Sequence, residues 1–263
     1  MPSTVEESLT PKEVIPKPKR RRRRSTAKAS RSSAKKRGPT DDKLAVCLIL
    51  FLAALAFTAI LSLWVGAAVQ DGPSPVTLEL GPAEPCLTAG LNADIKAEEI
   101  ESLRRDAYFI PVYTFLLLSL GLVVFRAAGR EWRWSLAIFF LAIIAAQCDF
   151  SENTFLDSCL DGNSSAAHLA FAWSCWKWAA LATALAAAGP LFLVRTDRTR
   201  QIGFVLVATG LFGLLVFVPT GREELVVHYL LAPALALGFL LIAGSFVADL
   251  AVPGQRSAHW KDR

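Results

Sequence analysis

Asp149, Glu152 and Asn153 fall within five residues of one another in the stretch AAQCDFSEN, at the end of an apolar run. Spacings of i,i+3 and i,i+4 put two carboxylates and a carboxamide on one face of a helix. Such a face can accept hydrogen bonds, hold a cation or exchange a proton. It cannot be left against hydrocarbon, where a carboxylate costs at least a few kcal/mol. It needs partners, and Asp106, Tyr113, Lys177 and His228 recur at the same depth in the neighbouring apolar runs. An ion pair between Asp149 and Lys177 is expected, with Arg105 the other basic group at that depth. The phenols of Tyr108, Tyr113 and Tyr229 are within reach of Asp149 or Glu152. The candidate ligand-binding cluster is therefore Asp106, Tyr113, Asp149, Glu152, Asn153, Lys177 and His228.

Enzymatic readings of these residues find little further support. The chain has three histidines, and His259 belongs to the C-terminal tail, which excludes a three-histidine hydrolytic zinc site. HExxH, G-x-S-x-G and the P-loop pattern are all missing from the sequence. Ser245, in AGSF, lies too deep to meet His168 or His228. No catalytic residue is assigned, and no metal or cofactor is expected. Three readings compete for the cluster: an interhelical ion pair that orients the bundle, a binding or transport site, and an intramembrane lipid-active enzyme.

The elements that must position these residues are legible in hydropathy. Apolar residues make up 53% of the 263, and they are gathered into blocks at 44–69, 109–126, 134–151, 170–194, 202–218 and 225–247. Each is about long enough to cross a hydrocarbon core of ~30 Å at 1.5 Å per residue. No alternating strand pattern recurs, so the fold class is all-α: a polytopic integral membrane protein of about six transmembrane helices. The first block is too long for a cleaved signal and follows a long polar segment, which makes it an uncleaved anchor. An outer loop at 70–108 is expected to be irregular, with an extended piece at 76–80. It should end in a short interfacial helix capped by Asn92 or Asp94.

Charge sets the orientation. Residues 1–43 carry 14 of the 28 Lys and Arg against five acids, whereas the remainder is net acidic. With this tail inside, nine basic residues fall in inner loops and four in outer ones, which places both termini in the cytoplasm of a plasma-membrane protein. Tryptophans agree: Trp132 and Trp134 mark the inner end of the third span, and Trp64, Trp173, Trp176 and Trp178 mark outer ends. The tail itself lacks the apolar residues to fold and is expected to be disordered. Its basic run at 17–43 suits anionic lipid headgroups rather than nucleic acid.

Of five cysteines, Cys86 and Cys159 are the disulfide candidates, with Cys148 and Cys159 the local alternative. Asn163 opens an outward-facing N-S-S sequon. Small residues, Ala180, Ala184 and Ala188 in span four and Gly210 and Gly213 in span five, predict close helix packing. Pro190 and Pro233 predict kinks. The expected function is binding or handling of a small solute or lipid in an outward-facing polar pocket. The alternatives are a lipid-active enzyme and a membrane organiser acting through its basic tail.

Overall fold

The computed structural model describes residues 39–66, 88, 92–128, 132–193, 197–217 and 227–251. The basic tail up to residue 38, the extended piece at 76–80, Cys86 and the residues after Ala251 lie outside the described residues, as do the side chains of His228 and Tyr229. The described chain is all helical: α1 Pro39–Gly66, α2 Ala93–Ala128, α3 Trp132–Leu160, α4 Ser164–Ala187, α5 Gly189–Leu193, α6 Asp197–Leu214 and α7 Ala232–Ala251. A 3-10 turn, Leu215–Phe217, ends α6, and a π-turn, Val227–Leu231, leads into α7. Four helical stretches are long and apolar enough to cross a membrane, namely Lys43–Trp64, Ala93–Arg126, Trp132–Leu160 and Ser164–Leu193. Two shorter apolar helices, Arg200–Leu214 and Ala232–Ala248, fall on the fifth and sixth blocks. The protein is thus a polytopic helical membrane protein.

Helix ends outrun the hydropathy blocks because backbone hydrogen bonding does not stop where apolar side chains do. Asn92 caps α2, its Oδ1 accepting from the amides of Asp94 at 3.0 Å and Ile95 at 3.3 Å. The expected interfacial helix and the second span are one helix of 36 residues, about 54 Å long against a hydrocarbon core of ~30 Å. Its first turns therefore stand outside the apolar slab. Pro111 lies inside α2 without breaking it. Pro190 does mark a break, since α4 ends in a turn at Ala188 and α5 starts at Gly189. Pro233 is the second residue of α7, separated from the π-turn by Ala232 alone, where a missing N–H suits the first turn of a helix.

A tight hairpin joins α3 to α4. Gly162 takes φ +95°, and the amides of Gly162 and Asn163 donate to the carbonyls of Cys159 at 2.8 Å and Ser158 at 3.2 Å. This paired closure satisfies the last carbonyls of α3 and needs a residue tolerant of positive φ. Lys96 of α2 ties the turn down through Asp161 at 2.7 Å, an exposed contact that contributes little.

Packing divides by depth. At the hairpin end, Ile95, Ile100 and Leu103 of α2 pack on Leu156, Cys159, Leu160, Ala166 and Ala170 of the hairpin. Further along the bundle, Ile110, Tyr113 and Leu117 meet Ala142, Ala145, Ala180 and Ala184. The half away from the hairpin is a continuous apolar core that includes Leu120, Val124, Ile138, Leu185, Phe192 and Phe246. Helix α1 buries only a narrow stripe, Leu48, Phe51 and Ala54, and turns Ile49, Phe57, Ile60 and Leu63 outward. Lipid is the environment in which such a face is stable.

Helices α4 and α6 touch backbone to backbone. A Cβ added at Gly213 would lie 2.3 Å from Cβ of Ala182, and one at Gly210 would lie 2.5 Å from Cβ of Ala186. Ala182 and Ala186 therefore face α6, while Ala180 and Ala184 face α2 and α3. Gly213→Ala should force the helices apart and lower the unfolding free energy by about 1–3 kcal/mol in a denaturing-detergent titration. Gly244→Ala, which would meet nothing within 4 Å, should be neutral or stabilising by up to about 1 kcal/mol. Equal effects of the two would contradict this packing.

Candidate functional site

Antiparallel geometry brings the cluster together. Asp149 and Lys177 each lie fourteen positions from Asn163 at the turn, so a straight hairpin sets them at one level. Lys177 Nζ lies 3.1 Å from Asp149 Oδ1 and 2.8 Å from Glu152 Oε2. Both carboxylates belong to α3, one turn apart, and the α4 ammonium sits between them. From α2, the Tyr113 hydroxyl donates to Asp149 Oδ2 at 2.7 Å. One helix turn from Asp149 towards the hairpin, Asn153 Nδ2 donates to Asp106 Oδ2 at 2.8 Å. The Trp178 ring lies 5.5 Å from the ammonium and adds its π face.

Burial gives these contacts their weight. Glu152 is 0% exposed, Asp149 2% and Lys177 5%. An intramembrane hydrogen bond contributes only ~1 kcal/mol, whereas leaving one of these charges unpaired costs several. The pairing is therefore enforced more by the penalty for breaking it than by its own strength. Alanines at 142, 145, 180 and 184 make it possible, because they let α2, α3 and α4 approach closely just below the charged level.

Two carboxylates share one ammonium. Lys177 is the one buried basic side chain among the described residues, and it faces two fully buried carboxylates, with Asp106 half-buried beside them. The cluster therefore gathers several carboxylate oxygens, one ammonium and one phenol at a single buried level. Among the described residues, no group of three or more His, Cys, Asp and Glu is arranged to hold a metal ion.

Several expected neighbours are elsewhere. Arg105 pairs with Glu101 at 3.1 Å and lies over the Trp64 ring, so it does not reach Asp149. Tyr108 is exposed and its ring packs on Trp64, so of the two described phenols only that of Tyr113 reaches Asp149. At about 100° per residue both positions project well away from Asp106 and Tyr113. Gln147, polar and near the same level but never part of the expected cluster, is exposed on the far side of α3, where its side chain donates to Ser151 at 3.4 Å. His168 is exposed, and the His228 side chain lies outside the described residues. Cys159 is disulfide-bonded whereas Cys148 is a free thiol, which rules out the local pairing of those two.

Hydropathy reading missed Glu99 and Ser102, both buried. Positions 99, 102, 106, 110, 113 and 117 share one face of α2, which would have revealed them had the helix been extended back past its apolar block. Glu99 stands outside the apolar slab. Burial, and secondarily the neighbouring Glu98 carboxylate, push its carboxyl up from 4.5 to about 7.

Fold and site together define a polytopic α-helical membrane protein with a buried cluster of charged and polar side chains in one half of its bundle. No protein-family model matches the chain, and no curated protein or solved structure matches it. The role of the cluster therefore has to come from its own geometry.

Lys177→Met leaves two carboxylates buried together and should lower the unfolding free energy by about 3–5 kcal/mol. Adding Asp149→Asn should recover part of that loss. A double-mutant cycle in detergent checks this, and strictly additive changes would show that the two side chains are not coupled.

Proposed function

We propose that this protein binds a small solute or lipid at the cluster of Asp149, Glu152, Lys177 and Tyr113, reached from the outer face of the cytoplasmic membrane. The observation that carries the reading is two fully buried carboxylates sharing one ammonium. Charged groups that face a bundle interior at such a cost are kept for a ligand or a relay more often than for glue. The apolar core on the inner side favours binding over conduction, since no buried carboxylate or ammonium continues the row beyond Tyr113 among the described residues. Asp106 and Asn153 would form the approach, and a ligand would meet the carboxylates of Asp149 and Glu152, the ammonium of Lys177 and the phenol of Tyr113.

The excess of Lys and Arg at 1–43 and in alternate loops supports cytoplasmic termini, and with them an outward-facing cluster. The basic run at 17–43 would hold anionic headgroups of the inner leaflet. Cys159 would use Cys86 as its partner, tying the outer loop to the hairpin.

Purification in mild detergent followed by mass spectrometry of small molecules and lipids tests the reading. A specific compound should accompany the wild-type chain and be depleted at least several-fold with Glu152→Gln. Identical co-purifying material in both would sink the proposal.

A further inference from the structure

The outer turns of α2 carry a second unusual carboxylate. Glu99 is 1% exposed, and neither of its oxygens has a hydrogen-bond partner. One oxygen of the adjacent Glu98 is also buried without a partner. Glu99 lies on the stripe of α2 that contains Asp106, Ile110, Tyr113 and Leu117, so it faces the hairpin. The charged groups of the elements packed here are engaged or turned to solvent. On α2, Lys96 is held by Asp161, Arg105 by Glu101, and Arg104 is exposed. On α3, Asp157 is exposed, and on α4 so is His168. From α1, Trp64 meets Arg105 and Tyr108. Among the described residues no cation answers Glu99.

A buried carboxylate with no donor and a like charge beside it is far costlier ionised than protonated. We infer that Glu99 is a proton-operated latch, fastening the outer turns of α2 at 93–106 to the α3–α4 hairpin when protonated and releasing them when ionised. Release would bare Asp106 and Asn153, two turns further along the same face, and with them the way to Asp149 and Glu152. The latch stands on Glu99 alone and needs no ligand at the deeper cluster, so either proposal can fail without the other.

The sign follows from linkage. In the fastened state the Glu99 carboxyl titrates at about 7, and in the released, solvated state at its ordinary 4.5. The fastened state therefore holds the proton more tightly. Its advantage is complete below pH 4.5, shrinks as pH rises towards about 7, and is lost above that.

Amide hydrogen exchange of the full chain in detergent micelles, corrected for intrinsic base catalysis, reads the latch directly. The opening constant of 93–106 should rise about tenfold per pH unit from 4.5 to about 7 and then level off, while the inner parts of α3 and α4 stay unchanged. Glu99→Gln, neutral at every pH, should hold these amides closed with a flat profile. Glu98→Gln, which removes only the neighbouring charge, should bring the plateau to lower pH and serves if the first variant does not fold. A flat wild-type profile, or a slope that neither substitution moves, would overturn the latch.

Discussion

An ammonium or a carboxylate inside a helical bundle in lipid must be met by an opposite charge, and the contacts of Lys177 follow from that requirement. Its side chain leaves α4 at the level where α3 presents Asp149 and Glu152. A three-residue turn with Gly162 at positive φ sets that level. The alanine faces at 142, 145, 180 and 184 bring the backbones near enough for α2 to add Tyr113. Shift any of these and a charge is left unpaired in an apolar interior, at a cost comparable to the whole stability of many domains.

The same constraint explains how the bundle divides. Buried charged groups are concentrated from Glu99 down to Lys177, and the half of the bundle away from the hairpin is filled mainly with Leu, Val, Ile and Phe. The glycine face of α6 against Ala182 and Ala186 compacts α4 from the other side. The buried charges thus lie in a layer backed by an apolar floor.

Much of this was legible in sequence because hydropathy and helical phase report different things and both applied. Six apolar blocks located the helices, and the i,i+3 and i,i+4 spacings of Asp149, Glu152 and Asn153 gave one face. Asp149 and Lys177 are equidistant from Asn163 in the turn, so their meeting was derivable. The errors came from judging neighbours by depth alone. Arg105 and Tyr108 share the level of Asp106 but not its azimuth, and they turn to Trp64 instead. Glu99 escaped because the short interfacial helix expected after Asn92 was read apart from the second span, so the face that Glu99 shares with Asp106 and Tyr113 did not show. Its burial comes from packing on the hairpin, which a hydropathy window does not contain.

A ligand-binding rather than structural role for Glu152 is the claim on which the functional reading stands. Unfolding of ligand-free Glu152→Gln protein, set beside wild type in the same detergent, tests it most directly. If Glu152 is kept for a ligand, the isosteric carboxamide leaves the Lys177–Asp149 pair in place, so stability should stay within about 1 kcal/mol of wild type or rise. A loss as large as that of Lys177→Met would contradict the reading and make Glu152 a structural partner of the ammonium.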